Sequence, residues 1–218
     1  AIIQGITEFL PVSSSGHLLL IAKFSKVSQH NLQIDIAVHF GSLLAVIVYY
    51  RKELSILISG LNENLRFNFS NDNAVSFRLL VLATIPVIFF GAILKITGGI
   101  NLIRSLEMVA YGMIIFGVFL YISDRIGKSN RQLSDWGIKD AIILGVWQAL
   151  ALFPGTSRSG NTITGARLLG FSRTASVNLS MLMSVPTILA STTILFWDFL
   201  KFENNDYILS NLLIAAIF

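Results

Sequence analysis

With 54% hydrophobic and 13% charged residues and a mean hydropathy of +0.71, this 218-residue chain is no water-soluble domain; such domains carry about 25% charged residues. The net charge of +4 lies in loops between apolar stretches, which favours topology control over nucleic-acid binding. Cysteine is absent, so the redox compartment is not readable from the sequence.

In chain order, residues 1–10 predict a short helix, broken at Pro11–Gly16 and resuming over 17–24. Ten helical residues reach roughly 15 Å, about half of a ~30 Å hydrocarbon core. Residues 1–24 are therefore expected to form a re-entrant hairpin, its irregular tip surrounded by protein or a wet cavity. Spans are expected over 34–50, 77–96 and 106–122, with Arg51–Arg78 as a loop. Residues 138–169 predict a second hairpin broken at Pro154–Gly160, followed by spans over 174–200 and 207–218. Pro86 and Pro186 are expected to kink their spans. The chain starts without Met and stops inside an apolar run. It is expected to be part of a longer protein, lacking a little at the N-terminus and at least one span at the C-terminus.

The two broken segments look related. Gln4 precedes Gly16 by twelve residues, and Gln148 precedes Gly160 by twelve. Three spans separate the hairpins, and an odd number inverts the second unit. The expectation is an all-α polytopic membrane protein built as one domain from two inverted repeats, residues 1–122 and 138–218. Loop charges give its orientation. Arg51, Lys52, Arg66 and Arg78, and Arg125, Lys128, Arg131 and Lys139, outnumber Lys23, Lys26, Lys95 and Arg104 on the other side. The richer loops are placed in the cytoplasm.

Polar side chains within apolar spans are costly and mark functional sites by default. Gln4 and Glu8 share a helix face, where Glu8 could bind a hard cation such as Mg²⁺ or Ca²⁺ or act as a base towards His17. The turn Ser13-Ser14-Ser15-Gly16 opens a helix and can aim backbone N–H groups at an anion. His17 could be acid, base or nucleophile. In the second tip, Ser157, Ser159 and Thr162 supply hydroxyls, and Arg158 supplies a planar fork suited to phosphate. Each feature also has a structural reading: Glu8 capped by hydroxyls, a Ser-rich N-cap, and an arginine snorkelling to the interface. Snorkelling is the preferred reading for Arg167 and Arg173. His39 divides evenly between cavity lining and packing. The two tips together suggest chemistry on a phosphorylated lipid.

The segments Gln-x-x-x-Glu-Phe-Leu-Pro-Val-Ser-Ser-Ser-Gly-His (Gln4 to His17) and Pro-Gly-Thr-Ser-Arg-Ser-Gly-Asn-Thr (Pro154 to Thr162) resemble the two signatures of the bacterial undecaprenyl-diphosphatase family, bacitracin-resistance type. The resemblance implies a multi-pass inner-membrane hydrolase that depends on divalent cations. It would remove the terminal phosphate of undecaprenyl diphosphate and recycle the lipid carrier of cell-wall synthesis. Its site would face the periplasm. It implies catalytic roles for Glu8, Ser14 and His17, a metal at Glu8 with Gln4, and phosphate binding by Ser157, Arg158, Ser159 and Thr162, to which the anion-binding turn adds Ser13. Gln4 stands where the family has Glu or Gln, and Asn178 where many members have Glu. The oligomeric state is left open, with a homodimer among the options. A lipid-phosphate transporter that does not hydrolyse is the alternative function. The unrelated lipid-phosphatase superfamily does not fit: no Lys-x6-Arg-Pro precedes the motifs and no histidine follows Arg158. A purely structural subunit does not fit the polar tips.

Overall fold

The computed structural model describes residues 2–14, 16–18, 32–99 and 105–199. All regular structure among them is helical. The elements are α1 (Ile2–Thr7), α2 (Leu32–Tyr49), α3 (Arg51–Leu65), α4 (Asp72–Ile96), α5 (Leu106–Ile126), α6 (Ile138–Ala149), α7 (Arg158–Leu168) and α8 (Arg173–Phe199). α4, α5 and α8 are long and apolar enough to cross a membrane. The expected span 207–218 and the limb 19–24 lie outside the described residues.

The spans begin where polar caps allow. Asn71 accepts a hydrogen bond from the Asn73 N–H at 2.8 Å to open α4, and Ser105 caps α5 through the Met108 N–H. Each satisfies a donor that the first helical turn leaves unpaired. α5 presents Tyr111, Ile114, Val118 and Phe119 outward, as a lipid-facing helix should. Its inner stripe is narrow: Val109, Gly112 and Ser123.

The core lies among α4, α6, α7 and α8, around Leu79, Ala83, Ala141, Leu144, Ala166, Leu179 and Met183. Small residues set the spacing. A side chain on Gly145 of α6 would stand 2.7 Å from the Ala83 carbonyl and 2.9 Å from the Pro86 ring of α4. Such backbone approach is how helices associate in lipid, where burial alone supplies little driving force. Pro86 and Pro186 both lie inside their helices.

Two expectations need correction. Arg51–Leu65 is a helix rather than loop. Its Leu54 and Leu57 face inward, and Gly60 lets the Asn73 carbonyl of α4 come close. Asn64 then ties the pair by donating to the carbonyls of Gly60 (2.8 Å) and Ala74 (3.0 Å). Arg167 is not a snorkelling side chain: it is 2% exposed. Its guanidinium donates to the carbonyls of Phe171, Asp124 and Gly127 and to the Ser129 hydroxyl, with the Asp124 carboxylate 3.2 Å away. Arg173 is exposed and holds Asp124 through two 2.7 Å bonds.

Those contacts clasp the loop after α5 to the end of α7. Asn130 and Arg131 both donate backbone N–H to the Gly170 carbonyl, and Ser172 donates to the Arg131 carbonyl at 2.8 Å. Gly170 turns there with φ +87°, a left-handed conformation open to glycine. Arg131 grips Asp140 with two bonds of 2.8 and 2.6 Å while lying over the Phe171 ring. Burial raises the Asp140 carboxyl, but hydrogen bonds from Arg131 and the Gly137 N–H, with the Arg131 charge, hold it below its ordinary 3.8. A depressed carboxyl stabilises the fold above its unfolded pKa and loses that contribution as pH falls through the folded value. Asp140→Asn is therefore expected to cost about 1.5–3 kcal/mol near neutrality, the range for hydrogen bonds to charged groups. The difference from wild type should shrink only as pH is taken below 3.8, through the lower value of the folded protein, as read by thermal unfolding in detergent.

Candidate active site

Both tips are built by helices that cannot continue. α1 gives way to a turn through residues 8–12 that contains Pro11, and helix resumes at residue 14 and over 16–18. Ser13 caps the resumed helix: its Oγ accepts from the Gly16 N–H at 3.2 Å. α6 tightens into a 3₁₀ turn at Leu150–Leu152, and the chain then bends at Pro154-Gly155. Ser157 caps α7 by accepting from the Gly160 N–H at 3.1 Å.

Glycines dock the second tip on α5. Gly155 takes φ +82°, and a side chain there would strike the Val109 carbonyl. A side chain on Gly112 would strike the Pro154 carbonyl. Backbone meets backbone in both cases, so neither neighbour can rotate aside. Gly112→Ala is expected to cost about 1–3 kcal/mol, as overpacking does. Thermal stability and activity should fall together, whereas Gly117→Ala, whose added carbon would meet nothing within 4 Å, should be tolerated.

The tips touch. Ser159 Oγ donates to the Leu10 carbonyl at 2.7 Å, and Ser157 Oγ lies 3.0 Å from Ser159 Oγ. Arg158, the first residue of α7, donates from Nη2 to Glu8 Oε1 at 3.1 Å. Ser14 Oγ donates to the other carboxylate oxygen at 2.9 Å. The Arg158 and Glu8 side chains are 13% and 11% exposed. Among the described residues Glu8 is the only partner of the Arg158 guanidinium, which has five N–H donors. Most of the fork is therefore available to an anion.

His17 belongs to the first tip, in the helix that resumes after Pro11. Its Nδ1 is 2.7 Å from the Ser13 carbonyl oxygen. A carbonyl can only accept, so Nδ1 carries the proton and Nε2 of the neutral ring is the basic nitrogen. Ser13 and His17, with Ser157 and Asn161 of the second tip, line a cavity of about 170 Å³ whose outer wall is Met113, Phe116 and Leu120 of α5.

The other predicted residues are placed as follows. Thr162 is 1% exposed; its Oγ1 donates to the Arg158 carbonyl at 2.5 Å and lies 3.2 Å from Ser180 Oγ of α8. Gln4 is 4% exposed, and its Nε2 donates to a ring nitrogen of His39, 3.1 Å from Nδ1. This draws α2 to the first tip. Among the described residues no group of three or more His, Asp and Glu side chains comes together. Asn178 accepts from the Tyr50 hydroxyl at 3.1 Å.

Sequence reasoning missed two side chains here. Asn161 is 1% exposed, borders the cavity, and its Nδ2 has no partner among the described residues. Gln148 is fully buried, with neither amide atom bonded among the described residues. Its spacing from Gly160, matching that of Gln4 from Gly16, was the available signal for Gln148. Nothing in the sequence separated Asn161 from its polar neighbours.

The chain matches the bacitracin resistance protein BacA family over residues 1–218. It is 48% identical to an undecaprenyl-diphosphatase of Dinoroseobacter shibae over 191 residues, covering 88% of this chain and 72% of the relative. The undecaprenyl-diphosphatase of Ruegeria sp. (strain TM1040) is 46% identical over 195 residues, 89% of this chain and 73% of the relative. That of Jannaschia sp. (strain CCS1) is 46% identical over 191 residues, 88% and 72%. Two polar tips that meet inside an apolar helical protein, with signatures matched along the whole sequence, make this chain a member of the bacitracin resistance protein BacA family.

Proposed function

We propose that the chain hydrolyses undecaprenyl diphosphate to undecaprenyl phosphate and inorganic phosphate, recycling a lipid carrier for cell-wall synthesis. One observation carries the reading: an arginine and a glutamate from separate tips meet, mostly buried, with the Ser14 hydroxyl donating to the carboxylate. Phosphoryl transfer asks of a protein mainly such positioning and charge stabilisation.

Arg158 and the N–H groups opening α7 hold the terminal phosphate. Ser14 and Glu8 already have the nucleophile–base relation, a hydroxyl donating to a carboxylate that a cation orients. Ser14 Oγ attacks the terminal phosphorus, its proton passes to Glu8, and the bond from phosphorus to the bridging oxygen breaks. Undecaprenyl phosphate leaves. Water, deprotonated by His17 Nε2, then cleaves the phosphoserine. Thr162 fixes the backbone of Arg158, and Ser159 fixes the two tips to each other. Ser13 and Ser157 complete the phosphate-facing hydroxyls.

The donor set suits a divalent cation, Mg²⁺ or Ca²⁺. Mg²⁺ is commonly held by one or two carboxylates together with substrate phosphates, and Glu8 is the lone carboxylate of the tips. Glu8 would hold such a cation, with the Gln4 amide oxygen, one helical turn earlier, as a second ligand. When bound, the cation would neutralise diphosphate charge and polarise the terminal phosphate.

The same reading takes the two halves as inverted repeats in the inner membrane, with the site open to the periplasm. Three described apolar helices and the meeting of the tips support it. The test is phosphate release from long-chain polyprenyl diphosphate by the full-length protein in detergent. The expected products are one inorganic phosphate and one lipid monophosphate per turnover, with phosphoserine trapped on Ser14 by acid quench. Tight lipid binding with no release under any cation would make the tips a transport passage instead.

A further inference from the structure

The terminal phosphate is accounted for by Arg158. The phosphate that stays on the lipid has no assigned seat. Asn161 lies one helical turn beyond Arg158 on α7; residues three apart share a helix face, so two phosphates joined by one bridging oxygen can be gripped at once. Asn161 is 1% exposed, yet among the described residues its Nδ2 bonds to nothing. A buried donor left unpaired costs free energy, so it calls for an acceptor that the free protein does not supply. The space beside it is a cavity of about 170 Å³, large enough for a phosphate rather than a single water.

The cavity has two characters. Ser13, His17, Ser157 and Asn161 form its polar side, and Met113, Phe116 and Leu120 form its apolar side. Gly117 lies between these α5 residues, and a carbon added there would meet nothing within 4 Å. A ligand with an anionic head joined directly to a hydrocarbon chain matches that division. Beyond this wall, α5 is largely exposed and apolar enough to cross a membrane.

We propose that this cavity seats the phosphate retained by the lipid together with the first isoprenyl unit, with Asn161 donating its amide to that phosphate and Gly117 leaving room for the chain. The inference rests on the phosphatase reading and adds the subsite that holds its product.

The experiment measures inhibition of the full-length enzyme by a long-chain polyprenyl monophosphate and by inorganic phosphate, along with KM for the diphosphate. Asn161→Ala should raise KM and weaken inhibition by the lipid monophosphate about tenfold, while inhibition by inorganic phosphate changes less than twofold. Gly117→Leu, which fills the chain's space without altering a polar group, should also weaken the lipid monophosphate and spare inorganic phosphate. Unchanged lipid inhibition in both variants would overturn the proposal, leaving Asn161 bonded to cavity water. Equal weakening of both inhibitors would overturn it too, because the cavity would then be part of the terminal-phosphate site. If wild type binds the lipid monophosphate through Asn161 but releases no phosphate, the phosphatase reading fails and the lipid-phosphate site stands.

Discussion

Arg158→Ala should lower kcat/KM for polyprenyl diphosphate by about 10²–10³-fold, the loss seen when one preorganised charge-stabilising donor is removed from a water-poor site. The reason is the position of Arg158 at the start of α7, next to N–H groups that favour an anion. Among the described residues its fork is bound by a single bond, to Glu8. Arg158→Lys should recover less than a tenth of the activity, since an ammonium offers a point charge without the planar pair of donors. Steady-state phosphate release with the three proteins decides this. Full activity in the lysine variant would exclude bidentate phosphate binding.

Glu8→Gln should lower kcat by about 10²–10⁴-fold, the range for loss of a positioned base, and should abolish the response to added Mg²⁺ or Ca²⁺. The glutamine still accepts a hydrogen bond, so the tips should stay together. Arg158 nevertheless loses its counter-charge in a site where its side chain is 13% exposed. The cost in stability should be less than the about 3–5 kcal/mol of breaking a fully buried pair by removing one partner. Activity across a cation titration, paired with thermal unfolding, separates the two effects. A variant with wild-type rate and unaltered cation response would remove Glu8 from the chemistry.

Much of this was readable because membranes penalise polar groups. Arg158 and Glu8 stood out in sequence for their cost in hydrocarbon, and the structure shows how that cost is reduced: each is the other's partner. The long apolar runs around Pro86, Phe119 and Pro186 announced α4, α5 and α8. α3 was hidden because Arg51, Lys52, Asn62 and Asn64 read as a loop, while its inward stripe is only Leu54, Leu57 and Gly60. A helix lying against one neighbour needs no wider stripe.

Arg167 misled for a related reason. An arginine near the end of a hairpin ordinarily reaches for the interface. Here the carbonyls that receive it come from Asp124, Gly127 and Phe171, brought together by the fold rather than by spacing. The Gln4–His39 bond joins residues 35 apart, so periodicity could not assign His39. Asn161 became informative only once its amide was seen buried beside a cavity, with its Nδ2 unpaired among the described residues.

If the two tips form one catalytic site, Glu8 and Arg158 must be coupled in turnover. A double-mutant cycle on kcat/KM measures that coupling, using Glu8→Asp and Arg158→Lys so that every variant keeps measurable phosphate release. Residues sharing one site couple by about 0.5–3 kcal/mol, whereas independent positions add within about 0.3–0.5 kcal/mol. The expected result is that the double variant departs from the product of the single losses by about tenfold, or 1.4 kcal/mol. Losses that multiply to within about twofold would contradict a shared site.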